Sequence, residues 1–227
     1  QDLVQDKISG GADVTSSSEV QRRVSIAAAA SKKDGYEFIK KLGKGGQGYT
    51  ALVKHKKSGQ QLAAKQIVCS DFEEASAATR EVLMMQKMTG PQFVKFEESF
   101  HAELSLGSWE VWIVMKYCEK GDLMQLLSGK PMDEKQIGQV LTPVLEGIRQ
   151  MHAKGMIHRD IKPGNILISD EGLGMVADFG LAKFHELASR QATMTAGIGT
   201  LKYMAPEIED GRYSATIDVW SFGMVLL

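Results

Sequence analysis

Two hydrophobic periods divide this chain of 227 residues, and the change from one to the other limits what it can fold into. From Tyr36 to Val68 short apolar runs, YEFIKKLG, YTALVKH and QLAAKQIV, are broken by Gly, Lys and Ser, with Lys57-Ser58-Gly59 as a turn. That is the pattern of three antiparallel strands. Residues 73–88, EEASAATREVLMMQKM, bring strong helix formers, with Val82, Met85 and Met88 at helical spacing and Gly90-Pro91 as the stop. Two more strands are expected in FVKFEESFHA and VWIVMKY, joined by a connection around Leu106 to Ser108. Beyond Gly121-Asp122 the period becomes helical, through DLMQLLS and then DEKQIGQVLTPVLEGIRQMHAKG. In the second of these Leu141, Val144, Leu145, Ile148 and Met151 form an apolar stripe, read as core. The expected class is α+β: a five-stranded antiparallel lobe with one helix over about 35–117, then a mainly helical lobe over about 118–227.

Residues 1–34 contain no aromatic residue and are rich in Ser, Ala, Gln, Asp and Lys, so they offer little burial to offset the entropy of ordering. They are read as a disordered N-terminal tail. Within it Arg22-Arg23-Val24-Ser25 resembles a substrate site for basophilic kinases, although a chance charged patch is the weightier reading. The remaining residues, 35–227, have the composition of a folded domain, in a chain that is 43% hydrophobic. Twenty-seven basic against twenty-eight acidic residues give a formal charge of −1, which excludes the strongly positive balance of a nucleic-acid binder. Cys69 and Cys118 stand far apart without CxxC or His pairing, so neither a disulfide framework nor a zinc site is indicated, and a reducing, cytoplasmic setting is expected. No apolar stretch reaches the roughly 18 to 20 residues of a membrane-spanning helix, so no membrane partner is expected. The last ten residues, DVWSFGMVLL, end in unbroken apolar sequence, as a partial product would. On that reading Trp220, Phe222, Val225 and Leu226 form an exposed apolar patch.

Gly43-Lys44-Gly45-Gly46-Gln47-Gly48 fits GxGxxG, a pattern in which backbone without Cβ can approach phosphate closely. A dinucleotide-binding fold needs that motif between a strand and a helix, and a phosphate loop of the Walker type needs GK[ST]. Here it lies between two strands and lacks GK[ST], so alone it is weak evidence, with a glycine-rich hairpin turn an equal reading. An ordered series follows it. Lys65 lies in QLAAKQI and Glu81 in the helix; HRDIKPGN supplies His158, Arg159, Asp160, Lys162 and Asn165. Asp178-Phe179-Gly180 and Ala205-Pro206-Glu207 come after these.

In order and spacing these motifs resemble the signature set of the eukaryotic protein kinases, from about Tyr36 to the last residue. The resemblance implies a two-lobed kinase-like fold, incomplete at its C-terminal lobe, that binds ATP and Mg²⁺ and phosphorylates proteins. It implies that Lys65 contacts the α- and β-phosphates while Glu81 holds its ammonium by an ion pair. Asp160 would accept the proton of the substrate hydroxyl, and Lys162 would approach the γ-phosphate as charge develops. Asn165 and Asp178 are oxygen donors suited to Mg²⁺. The nucleotide would lie against Leu42, Gly43, Lys44, Gly45, Gly46, Gln47, Gly48 and Thr50, with Ala63 and Leu167 on the adenine faces. Met115 takes the gatekeeper position, with the Lys116 carbonyl and Cys118 amide at the adenine edge. Met85, Phe96, His158 and Phe179 fall where the family stacks an apolar column between its lobes.

Lys162 two positions after Asp160, together with the stretch from Gly199 to Glu207, marks the serine/threonine enzymes of the family, so protein Ser and Thr are the implied substrates. Three details depart from the usual pattern: Thr50 stands where Val usually covers adenine, Gln47 replaces an aromatic at the loop tip, and Lys116 replaces a hinge acid. Between Asp178 and Glu207 lie Ser189, Thr193, Thr195 and Thr200. An upstream kinase acting on Thr195, or next Thr193, would place a phosphate within reach of Arg159. Subfamily resemblance is loose, to NIMA-related and calcium/calmodulin-type kinases. The alternative is a catalytically silent kinase-like scaffold or truncated nucleotide-binding fragment.

Overall fold

The structure is a computed structural model, and it describes residues 32–45, 48–105, 108–128, 131–180, 183–184, 201–208 and 213–227. The first five strands are β1 (Tyr36–Gly45), β2 (Gly48–His55), β3 (Gln61–Cys69), β4 (Phe96–Ser105) and β5 (Ser108–Lys116). They form one antiparallel sheet in the order β1-β2-β3-β5-β4. The alternation of side chains across a strand explains why the apolar residues of β3 and β5 serve two cores, one on each face of the sheet. Ala63, Ile67, Cys69, Val111, Ile113 and Met115 join the main core. Their neighbours Leu62, Ala64, Trp112 and Val114 form a second cluster with Ala51, Val53 and Phe100 on the other face.

Helix α1 (Phe72–Lys87) lies between β3 and β4 in the chain. Asp71 caps it by accepting from the Glu74 amide at 2.9 Å, and Ala78, Val82, Met84 and Met85 are buried in the core. It ends at Lys87 because Met88 turns extended, just ahead of Gly90 at φ 126. The strand expected to start at Phe93 begins instead at Phe96. The reason is a contact across the molecule: Val176 donates to the Gln92 carbonyl at 2.8 Å and the Val94 amide donates to the Val176 carbonyl at 3.2 Å. Residues 92–94 therefore pair with the second lobe before the chain joins the sheet.

The second lobe is built on α3 (Glu134–Ala153), which follows the short α2 (Leu123–Leu127). Asp133 and Gln136 make a reciprocal capping box at its start. Leu141, Val144, Ile148 and Met151 are buried as the stripe requires, but Leu145 is 47% exposed and does not belong to it. Val140 and Gly147 complete the buried face instead. A Cβ at Gly147 would stand 3.2 Å from both the Gln92 Cβ and a Val176 methyl, so a larger residue there would push the helix and that pairing apart by a few tenths of an ångström. Strands β6 (Met156–Ile157) and β9 (Lys183–Phe184) pair with each other, as do β7 (Ile166–Ile168) and β8 (Gly174–Val176). The last helix, α4 (Thr216–Leu226), splits the apolar patch expected there. Phe222 is buried and Val225 packs on the main core, whereas Trp220 and Leu226 are exposed. Among the described residues no helix is long and apolar enough to cross a membrane.

Ile148→Ala is expected to cost about 2 to 5 kcal/mol in urea denaturation, whereas Leu145→Ala is expected to stay within about 0.5 kcal/mol. Equal losses at the two positions would contradict the observed face of α3.

Candidate active site

Lys65 stands in mid-β3, opposite Thr50 on β2 and Ile113 on β5, with strands on both sides to fix its backbone. Its ammonium lies 2.7 Å from Glu81 Oε1 on α1 and 2.8 Å from Asp178 Oδ1. Glu81 is buried, while Asp178 lies at the open side of the group. Gly180 closes the arrangement. A Cβ there would fall 3.2 Å from Asp178 Oδ1, 3.3 Å from Glu81 Oε2 and 3.4 Å from Lys65 Nζ, and its amide donates to Asp178 Oδ1 at 3.3 Å.

Burial works against the charge on Lys65, but the carboxylates of Asp178 and Glu81 outweigh it and hold the ammonium above the ordinary lysine range. Burial pushes Glu81 up, with Asp178 adding to it and Lys65 opposing. Asp178 goes down: burial opposes its charge, yet Lys65 and the Gly180 amide prevail. The two carboxylates differ because the Asp178 charge raises Glu81, while the Gly180 amide supports the ionised form of Asp178 alone. Asp178 thus contributes stability that is complete above the ordinary carboxylate range and is lost as pH falls through its own depressed value.

The segment from His158 to Asn165 carries the second group. His158 is fully buried, and its Nε2 lies 3.0 Å from the Ala177 carbonyl, an acceptor only, so that nitrogen carries the proton. Its Nδ1 is then free to accept from the Asp160 amide at 3.3 Å. Asp160 Oδ2 accepts from Lys162 Nζ at 2.6 Å and from Asn165 Nδ2 at 2.8 Å. Asp160 Oδ1 is buried and has no hydrogen-bond partner among the described residues. Because Asn165 Nδ2 also donates to the Asp160 carbonyl at 2.8 Å, its amide oxygen is turned away from Asp160. The Ala177 amide donates to the Asn165 carbonyl at 3.0 Å, which brings the strand leading to Asp178 alongside Asn165.

One residue of this framework escaped the sequence reading. Asp218, in the first turn of α4, is fully buried and accepts the amides of His158 and Arg159, each at 2.8 Å. His152 Nε2 also lies 2.8 Å from its Oδ2. Arg159 is at φ 73, where residues with a Cβ are uncommon, and the carboxylate holds its amide in that conformation. The available signal was a lone charged residue at the start of an apolar segment, and nothing local in that segment points to its distant partners.

Of the expected nucleotide contacts, Gly43, Lys44 and Gly45 pair with Thr50, Tyr49 and Gly48 in the β1–β2 hairpin, which ends below an exposed Leu42. A Cβ on Gly48 would collide with the Gln66 carbonyl, so that position admits only glycine. Ala63 is paired with Met115, and both share the main core with Cys118, against which Leu167 packs. Lys116 leads out of β5, its ammonium 2.8 Å from Asp170 Oδ2 in the β7–β8 connection. Met85 and Phe179 are buried, Phe96 packs beside them, and the Phe179 ring centroid is 5.6 Å from that of His158. Gly46, Gln47, Ser189, Thr193, Thr195 and Thr200 lie outside the described residues, as do Arg22, Arg23 and Ser25.

For a divalent cation the relevant donors are the amide oxygen of Asn165 and the carboxylate of Asp178. Both are hard oxygens, and the depressed Asp178 carboxyl is ionised near neutrality, so the pair suits Mg²⁺. Among the described residues no cluster of three or more His, Cys, Asp or Glu offers another metal site.

Asp218→Ala strands two buried amides and is expected to cost about 3 kcal/mol in denaturant unfolding; a loss below about 0.5 kcal/mol would show that water replaces the carboxylate. Burial raises the Cys118 thiol to about 11, partly opposed by Lys116. Alkylation of Cys118 in the folded chain is therefore expected to be slow at pH 8 and to accelerate toward that value, whereas in denaturant it follows an ordinary thiol near about 8.5. Mass spectrometry of iodoacetamide-treated protein reads both, and equal rates folded and unfolded would contradict the burial.

The family model described as "Protein kinase domain" matches residues 36–227. A serine/threonine-protein kinase, cst-1 of Caenorhabditis briggsae, is similar to this chain at 36% identity over 196 residues, covering 85% of this chain. This chain spans 38% of the length of that relative. With a five-stranded antiparallel sheet, a helix placing Glu81 on Lys65, and a family match across most of its length, the chain belongs to the protein kinase family.

Proposed function

We propose that this chain transfers the γ-phosphoryl group of ATP to serine and threonine hydroxyls of proteins. The observation that carries the reading is the division of labour at Asp160. One carboxylate oxygen is held by Lys162 and Asn165, and the other is buried with no partner among the described residues. A buried acceptor left open in an otherwise satisfied cluster is costly unless a ligand uses it. A substrate hydroxyl donating to Asp160 Oδ1 would be oriented for attack, and its proton would finish on that oxygen. Lys162 stands beside this oxygen pair and supplies positive charge where the transferring phosphoryl group becomes more anionic.

Lys65, with Glu81 behind it, is suited to grip the α- and β-phosphates. In this structure its ammonium is shared with Asp178, so a bound nucleotide exchanges part of that ion pair for phosphate oxygen. Asn165 and Asp178 would hold Mg²⁺. When bound, that ion neutralises the phosphates and fixes their geometry. Serine/threonine preference is supported by Lys162, by the stretch ending at Glu207 and by the printed name of the relative. In that stretch the Tyr203 carbonyl accepts from Ser221 Oγ at 2.7 Å, which ties the segment to α4. Phosphorylation of Thr195 or Thr193 by an upstream kinase, with Arg159 as the receiving guanidinium, belongs to the same reading.

The test is transfer of labelled γ-phosphate from ATP to a generic basic protein, with phosphoamino-acid analysis. Asp160→Asn is expected to lose about 10² to 10⁴-fold in kcat, Lys65→Met is expected to lose transfer as well, and label is expected on serine and threonine. Equal incorporation by the parent and both variants, or label on tyrosine alone, would overturn the proposal.

A further inference from the structure

The face of the sheet turned away from α1 holds a carboxylate that phosphoryl transfer does not use. Glu110 on β5 is 2% exposed, and its oxygens lie 3.2 and 3.1 Å from Lys33 Nζ. The amide of Gln66 donates to the same carboxylate. Lys33 Nζ is also 5.1 Å from the centroid of the Trp112 ring. One residue earlier, Lys32 Nζ lies 3.2 Å from Glu98 Oε2, and the Tyr36 hydroxyl donates to Glu98 Oε1 at 2.5 Å. Tyr36 stacks on Phe100 at 6.2 Å between centroids, and Phe100 stacks on Trp112 at 5.8 Å. Residues 32–36, whose first members the composition assigned to a tail, thus lie against the outer face of the sheet by two lysines and one tyrosine.

Gln66 is the residue after Lys65 on β3, and successive side chains of a strand leave on opposite faces. Gln66 pairs with Trp112 and Lys65 with Ile113, so a grip on Gln66 from outside restrains the backbone from which Lys65 emerges inside. We infer that Lys33, acting through Glu110 and Gln66, is a positioning residue for Lys65. The inference rests on the reading of the chain as a kinase and deepens it.

The physics is that of a buried ion pair. Removing Lys33 leaves an enclosed carboxylate without its cation, which Glu110 relieves by turning toward water. That rotation releases Gln66, and a displacement well under an ångström at Lys65 Nζ is enough to weaken its hold on a phosphate. Replacing Glu110 by the neutral isostere removes the need for the cation, so the two changes made together are milder than the loss of Lys33 alone.

The experiment measures KM for ATP, kcat and the thermal midpoint in the full chain for Lys33→Met, Lys33→Arg, the pair Lys33→Met with Glu110→Gln, and Gln66→Leu. Lys33→Met is expected to raise KM for ATP by about fivefold with kcat changed by less than about twofold, Lys33→Arg to stay near the parent, and the paired variant to recover most of the loss. Gln66→Leu keeps the ion pair but cuts its link to β3, so it is expected to raise KM with little change in thermal midpoint; this arm decides the matter if Lys33→Met does not fold. A lower thermal midpoint for Lys33→Met with KM unchanged, or a parental KM for Gln66→Leu, would overturn the inference alone. Absence of phosphate transfer and of ADP binding by the parent chain would overturn the kinase reading and this inference with it.

Discussion

A single ammonium, that of Lys65, is the polar point on which three distant parts of the chain converge. Glu81 comes from a helix and Asp178 from a loop 113 residues beyond the lysine. Breaking a buried ion pair by removing one partner costs about 3 to 5 kcal/mol, because the remaining charge has no water to turn to. That penalty makes the position of α1 and the position of the Asp178 loop mutually dependent. Glu81 is the more committed partner, since it is enclosed, whereas Asp178 faces the open side and can trade the lysine for another cation. The asymmetry is what a phosphate-binding site requires: a fixed rear support and a replaceable front one.

The second constraint is backbone conformation. Arg159 at φ 73 and Asp178 at φ 60 are the two described residues other than glycine in the left-handed region. Strain of this kind costs about 1 to 3 kcal/mol per residue and persists only where the surroundings determine the geometry. For Arg159 the determinant is the buried Asp218 carboxylate, which takes two successive amides. For Asp178 it is the lysine in front, with the buried Phe179 ring behind it, itself 6.2 Å from Phe93. The loop carrying Asp160 and the loop carrying Asp178 are thus held by separate anchors, and His158 joins them through the Ala177 carbonyl.

What the sequence made legible follows from which interactions are local. Strand period and the α1 boundary depend on neighbours in the chain, and the five strands and the helix emerge in the expected order, the fourth strand starting three residues late. The spacing of Lys65, Glu81, Asp160, Asn165 and Asp178 was legible as a set because the motifs around them are specific, and the structure brings Lys65 to Glu81 and Asp178, and Asp160 to Asn165. The failures are all long-range. Phe93 and Val94 have strand-forming side chains but are claimed by Val176, 82 residues after Val94. Leu145 fits an apolar stripe by spacing, yet the partner surface ends before reaching it. Lys33 and Asp218 were invisible because a lone charge in sequence says nothing about a buried partner dozens of residues away.

The same distinction decides which contacts hold the lobes together. Besides the Lys65–Asp178 ion pair, three polar contacts among the described residues cross between them: the backbone pairing of residues 92–94 with Val176, the Lys154 ammonium on the Lys87 carbonyl at 2.7 Å, and Lys116 with Asp170. The last is exposed on both sides, and exposed pairs contribute about 0 to 1 kcal/mol with strong screening by salt. Lys154 meets a carbonyl at the C-terminus of α1, where a cation is worth about 0.3 to 1 kcal/mol, again at the surface. The backbone pairing is different in kind. Phe93, Val94 and Val176 are all buried, so separating the lobes there exposes apolar surface and strands amides at once. The lobes are therefore held most firmly beside the end of α1, the helix that carries Glu81, so the buried support of Lys65 and the firmest contact between the lobes belong to one element.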